Sequence, residues 1–240
     1  MELKRKVPDE KTLSNRKAML LKLKMTMPSA DEFYGLEGGN KKTGKRNGLG
    51  EVIYVWNLPP VVTCPGASDC LNYCYNADLR FNVYPIEKWR VNWYWVEYRR
   101  DEAIAKINEA LSRVDKPVVR VHSSGDFYSS TYTMLWHEIA QHNCHAMFWA
   151  YTRSWKIPEI LPSLELLRVN SNFQIFASID QHDTFDKYPS GWRICYVGKE
   201  VKSDEFYNCP EQYSSDGTVT CSTCRHCYTA SCDSIYFTMH

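Results

Sequence analysis

The chain has 240 residues, 44% of them hydrophobic and 14% aromatic, which is ample for one packed domain and excludes a disordered chain. Its formal net charge of +1 hides an asymmetry: residues 1–50 hold twelve Lys/Arg against six Asp/Glu, so only the N-terminal arm is attractive to polyanions. No apolar run reaches bilayer-spanning length and the start MELKRKVPDE has no apolar core behind it, so the expectation is no membrane contact and a cytoplasmic location.

Residues 1–50 read as a basic arm, with a short helix after Ser14 carrying Met19, Leu20 and Leu23, followed by the Gly-rich stretch EGGNKKTGKRNGLG, expected to be a flexible loop. Gly39 to Lys45 fits the G-x4-G-K pattern of a phosphate loop. The context is wrong: Arg46 stands where a hydroxyl residue should hold magnesium, no apolar strand precedes it, and a strand follows where a helix should.

Residues 51–200 read as an α/β core. EVIYVWNL is the first strand, leading into a cysteine loop from Thr63 to Tyr75. Pro85 to about Val114 is helical, with Trp89, Trp93 and Val96 on one face and Ile104, Ile107 and Leu111 on another, tryptophans best read as core. Val118 to Ser124 is a strand. Tyr132, Leu135, Trp136, Ile139 and Ala140 recur at helical spacing behind caps at Ser129 to Thr131. Ala146 to Thr152 is the next strand, Pro158 opens a helix with Ile160, Leu161, Leu164 and Leu167, and Phe173 to Asp180 is a further strand. This alternation predicts a parallel sheet with right-handed crossovers, and ligand sites in such sheets lie beyond the C-terminal strand ends. Those ends read HSSGD, YTRS and SID. Arg153 and Asp180 fall there, either as functional groups or as a structural ion pair.

Ten cysteines bunched at short spacings, with no secretory leader, favour metal or cluster ligation over a disulfide framework. Cys64, Cys70 and Cys74 are spaced C-x5-C-x3-C. Three thiolates can hold three irons of a four-iron cluster and leave the fourth open, whereas zinc would want a fourth ligand and no His lies nearby. The alternative is three unrelated buried thiols. In the cysteine-rich segment 201–240, Cys209, Cys221, Cys224 and Cys227 can close around one centre, either a zinc ribbon or a four-iron cluster, with His226 and Cys232 as substitute ligands. His142, Cys144 and His145 read as helix capping or packing. His122 either points into the strand-end mouth or packs in the core.

CLNYCY resembles the end of the radical-SAM cluster loop, VRVHSSGDFYS resembles that superfamily's second-strand Gly-Gly-Glu motif, and FASID resembles its fourth-strand Ser-x-Asp segment, in the superfamily's order. The resemblance implies a partial (β/α) barrel. It also implies one or two [4Fe-4S] clusters, S-adenosylmethionine held by Ser124, Gly125, Asp126 and Ser178, and Asp180 with Arg153 in catalysis. The superfamily's spacing is C-x3-C-x2-C, its acid is Glu where Asp126 stands, and a Gly stands at Ser124. The whole chain is also similar to the bacteriophage domain family called gene product eighty-eight, through TCPGASDCLNYCY, SGDFYS, AYTRS, and NCP followed by CSTCRHC. A radical-SAM-like core tips the C-terminal centre towards iron–sulfur, with zinc as the alternative.

Two functions follow as expectations. One is an iron–sulfur enzyme acting on a small molecule or nucleotide, served by a reducing partner and located in the host cytoplasm. The other is a non-enzymatic, metal-braced protein that binds nucleic acid through its basic arm or contacts a host protein.

Overall fold

The structure, a computed structural model, describes residues 18, 31–67, 70–74, 76, 79–180, 183, 188–199, 206–214, 216–229 and 233–238. The helix expected after Ser14 lies outside the described residues, as does Cys232. Runs rich in β-branched and aromatic residues alternate with helical stripes and build one open eight-stranded sheet, ordered β1-β2-β3-β4-β5-β6-β8-β7. The strands are β1 (Glu37–Gly38), β2 (Glu51–Trp56), β3 (Lys116–Val121), β4 (Met147–Thr152), β5 (Phe173–Asp180), β6 (Arg193–Gly198), β7 (Tyr207–Asn208) and β8 (Ile235–Thr238). Only β1 runs antiparallel to its neighbour; every other pairing is parallel, as the alternation predicts. The β6 and β8 strands were not expected: RICYVG and IYFT are too short and too close to polar segments to stand out, and β8 inserts between β6 and β7.

The helices are α1 (Cys70–Tyr73), α2 (Leu79–Tyr98), α3 (Arg100–Ser112), α4 (Ser130–His142), α5 (Leu161–Arg168) and α6 (Cys221–Cys224). The helical stretch expected from Pro85 is two helices broken at Arg99, and Pro85 sits inside the first of them. The Ser129 side chain caps α4 by accepting from the Tyr132 amide at 3.2 Å, and the helix buries Tyr132, Leu135, Trp136, Ile139 and Ala140. Pro158 precedes rather than opens α5: residues 158–160 form a turn, and the helix starts at Leu161. Among the described residues no helix is long and apolar enough to cross a membrane.

Because side chains alternate along a strand, the sheet has two apolar faces. Val119, Val121, Phe148, Ala150, Phe173, Ile175, Ala177 and Ile179 face the helices. Ile53, Val118, Trp149, Phe176, Cys195 and Ile235 face the other way, where the Gly-rich stretch and the cysteine-rich segment cover them in place of helices. The Cys221 amide donates to the Lys42 carbonyl at 3.1 Å, Ser222 to Thr43 at 2.9 Å, and Asn47 Nδ2 to the Ser222 carbonyl at 2.8 Å. The expected flexible loop is therefore folded onto the C-terminal cysteines. Trp149 and Tyr228 meet at 5.4 Å between ring centroids on this face.

Candidate metal centres

Two glycines seat the first cysteine group against the strand ends. A Cβ at Gly66 would lie 2.2 Å from the Arg153 carbonyl oxygen. At Gly125 it would lie 2.7 Å from Leu58 Cβ, and this residue's φ of +82° is strained for any other side chain. The Asp126 amide donates to the Thr63 carbonyl at 3.0 Å, which fixes the residue before Cys64. The Cys64 thiol is pushed well up, by burial first and then by the charges of Asp126, Cys74 and Cys70. Cys64 is thus within electrostatic reach of Asp126, Cys74 and Cys70.

Asp126 is already well supplied with donors. Its Oδ1 accepts from Thr152 Oγ1 at 2.6 Å and from the Phe127 amide at 2.7 Å; its Oδ2 accepts from the Arg153 amide at 2.8 Å. Burial raises its pKa, and these bonds oppose the rise without cancelling it. The carboxyl group ties the SGD turn to the end of β4. Beside it, Ser124 is held through its amide to Asn57 Oδ1 at 2.9 Å, while its hydroxyl has no partner among the described residues. The Ser178 carbonyl accepts from Trp155 Nε1 at 3.1 Å.

Arg153 and Asp180 do meet: Arg153 Nη2 lies 2.7 Å from Asp180 Oδ2, and its Nη1 lies 3.2 Å from Asp183 Oδ2. Lys156 pairs with the other oxygen of Asp183. Asp183 is the member that the motifs did not reveal. His122 belongs to the core, because its φ of +70° turns it off the strand alternation. Tyr132 Oη accepts from Trp56 Nε1 at 2.8 Å and Trp136 Nε1 at 2.9 Å, so its own proton goes to His122 Nε2 at 2.8 Å. The imidazole is therefore neutral, with its proton on Nδ1, and burial pushes its pKa down to about 3.

The second group lies on the helix-free face. Cys221 and Cys224 bracket the single turn α6, whose first residues are held by a Thr220–Thr223 capping box, and Arg225 leaves it in the left-handed conformation at φ +65°. Tyr151 Oη donates to Cys227 Sγ at 2.8 Å, and Tyr207 Oη lies 3.7 Å from Cys224 Sγ. Burial pushes the Cys227 thiol up to about 12, and the charges of Cys221, Cys209 and Cys224 add to the rise against the Tyr151 bond. Cys221 is pushed up to about 11 by burial, with Cys209 contributing, and burial raises Cys209 too. Cys227 is thus within electrostatic reach of the other three expected thiols, Cys209, Cys221 and Cys224. The structure adds a fifth, Cys195 on β6, raised by burial and then by Cys227. Its alternate placement in RICYV was the available signal.

Thiols with raised pKa values are neutral unless a cation is present to hold them as thiolates. Among the described residues no three His, Cys, Asp or Glu side chains stand in metal-ligand arrangement, so ligation at either group requires the sulfurs to draw in. His226, the substitute ligand, stacks on Tyr207 at 4.0 Å between centroids, and its Nε2 has no partner among the described residues. His145 places Nε2 at 3.3 Å from the Leu111 carbonyl, at the end of α3 rather than of the preceding α4, and the exposed Cys144 bonds to the Gln141 carbonyl.

Glu51 anchors the segment. Arg225 holds it through Nε at 3.0 Å and Nη2 at 2.6 Å, and Tyr228 Oη donates to it at 2.9 Å. Burial alone would raise this carboxyl, but Arg225, Asn47 and Tyr228 outweigh burial and hold it below its usual 4.5. Its contribution is therefore whole above that value and is lost as pH falls through the lower folded value. Glu51→Gln should lower stability at neutral pH and flatten the loss below about pH 4.5, read by urea unfolding across that window. An acid limb as steep as the parent's would show that this anchor contributes nothing.

The family model for gene product 88 matches residues 34–234. The Gene 88 protein of Mycobacterium phage L5 is 30% identical over 133 residues, covering 49% of this chain and 52% of that protein. The aligned stretch is thus about half the length of the curated relative it matches. No solved structure matches.

Proposed function

The chain belongs to the gene product 88 family of phage proteins, and from that premise we propose that it is an iron–sulfur protein of radical-SAM-like build. The observation that supports this reading is Cys64, which is raised by the charges of Asp126, Cys74 and Cys70 and whose loop is bonded through Thr63 to Asp126 beyond the C-terminal end of β3, where open α/β sheets bind their ligands. Three thiolates suit a four-iron cluster, which supplies an electron and one open coordination position when bound. Around it, Gly66 and Gly125 let the loop approach the strand ends, Ser124 offers a hydroxyl to a polar ligand, and Arg153 with Asp180 closes the mouth. S-adenosylmethionine is the ligand proposed for that mouth, with a nucleotide or nucleic acid as the substrate class. The second centre, at Cys209, Cys221, Cys224 and Cys227, is structural, since it lies under the sheet with the glycine-rich stretch folded over it.

A second reading, a metal-braced protein without catalysis, draws on two observations: the helix-free face is filled by the C-terminal segment, and Asp126 already accepts three bonds. Anaerobic protein should carry iron and acid-labile sulfide, up to about eight irons if both groups hold four-iron clusters. Stoichiometric zinc without iron overturns the iron–sulfur assignment. Iron without any effect of S-adenosylmethionine on the paramagnetic resonance of the reduced cluster puts the second reading ahead.

A further inference from the structure

The glycine-rich stretch that folds onto the cysteine-rich segment also concentrates charge. Residues 39–50 hold Lys41, Lys42, Lys45 and Arg46 and no acid, whereas residues 51–240 hold 17 Lys/Arg against 22 Asp/Glu. Lys42 is engaged within the fold, pairing with Glu211 at 3.1 Å. Lys41, Lys45 and Arg46 are exposed, and no ion pair or side-chain hydrogen bond joins them to another described residue.

Backbone pairing sets Lys45 and Arg46 beside the start of β2. The Lys45 carbonyl accepts from the Ile53 amide at 2.8 Å, and Arg46 bridges to Val52. On the other side of β2, Glu51 is in register with the exposed Lys116 of β3, whose Nζ donates to the Leu49 carbonyl at 3.1 Å. The backbones of Arg46 and Lys116 are therefore about 10 Å apart, two strand spacings. The turn between them is held from inside. Asn47 Oδ1 accepts from the Leu49 and Glu51 amides at 3.0 and 3.1 Å, its carbonyl accepts from the Gly50 amide at 3.1 Å, and its Nδ2 reaches the Ser222 carbonyl. Cations on a fixed frame lose less entropy on binding.

Acids nearby leave this surface net positive. Glu51 is held by Arg225 and Glu211 by Lys42, and the Asp216 carboxylate accepts from Ser214 and Thr218 of its own loop. Asp115, exposed beside Lys116, is an acid at the rim. A row of exposed cations suits a polymer of closely spaced phosphates. Single strands are held by base stacking as well, and within residues 39–53 the exposed large apolar side chain is Leu49, not an aromatic ring.

We propose that Lys45, Arg46 and Lys116, with Lys41 further along the same stretch, anchor the phosphate backbone of a nucleic-acid duplex without regard to sequence. This surface goes beyond the reading of the mouth: it lies at the opposite ends of β2 and β3, about 17 Å away along the strands, and needs no cluster, so its failure leaves the iron–sulfur reading standing. Fluorescence anisotropy of the full chain with labelled DNA duplexes of two unrelated sequences, at about 50–200 mM salt, should show similar affinities that fall steeply with salt. Lys45→Gln, Arg46→Gln and Lys116→Gln should each weaken both duplexes alike and reduce the slope of log affinity against log salt by about one. All three side chains are exposed, so the thermal midpoint should stay near the parent's. Arg168→Gln, which removes a cation paired with Glu165 on α5, should leave the slope unchanged. A parent that binds no duplex overturns the proposal. So does a triple variant with the parent's slope, which would place the phosphate contacts on other basic residues, or tighter binding to single-stranded DNA or to anionic phospholipid vesicles at the same salt.

Discussion

Cys227→Ala should unfold or strongly destabilise the protein, whereas Cys70→Ala should leave a soluble, folded chain that has lost one centre. The difference comes from where the thiols sit. Cys227 is buried in the cluster that covers the helix-free face, bonded to Tyr151 and within electrostatic reach of Cys209, Cys221 and Cys224. A closed four-thiolate centre couples metal binding to folding, so removing one ligand sacrifices binding free energy of order 10 kcal/mol, comparable to the whole stability of a domain. Cys70 lies half-buried in a single-turn helix and belongs to none of the three apolar clusters. Thermal unfolding of the parent and of the Cys70→Ala, Cys224→Ala and Cys227→Ala variants, with and without a chelator, separates the two. A Cys224→Ala variant as stable as the parent, or a parent indifferent to chelator, would show that the second group braces nothing.

The middle of the fold was legible in the sequence for a physical reason. Buried parallel strands are continuous apolar runs, and the helices between them carry one apolar stripe each, so Phe173–Asp180 and the Tyr132 to Ala140 stripe declare themselves by periodicity alone. The edges were not legible. The partner of the Gly-rich stretch is about 175 residues away in sequence, as the Asn47 to Ser222 bond records, and no local pattern encodes such a contact. The same limit hid Asp183, which joins Arg153 and Lys156 with its amide bonded back to the Asp180 carbonyl. Composition identified the cysteine groups, but the fifth thiol needed the sheet: Cys195 counts only once β6 is known to place it on the face that carries Cys227. For His122 the decisive fact is a positive φ, uncommon outside glycine and invisible to strand alternation, which turns the imidazole into the core onto Tyr132.

Arg153→Met should cost about 3–5 kcal/mol, since it removes the guanidinium that pairs with the fully buried Asp180 carboxylate. Breaking one side of a buried pair is expensive because the remaining charge keeps its desolvation penalty and loses its compensation. Removing both charges is a different matter. Arg153→Met combined with Asp180→Leu should recover much of the loss, because replacing a buried pair by apolar groups is often close to neutral. Asp183 keeps Lys156 as a partner in both variants. Urea unfolding of the parent, the two single variants and the double variant closes a cycle, and a coupling energy well above 1 kcal/mol identifies the pair as structural. A small loss in Arg153→Met would point the other way: the guanidinium would then be spare to meet a ligand at the strand-end mouth, and its loss should appear in ligand affinity rather than in the unfolding midpoint. Each outcome assigns the residue to one role, and the assignment decides how much of the mouth is available for chemistry beside Cys64.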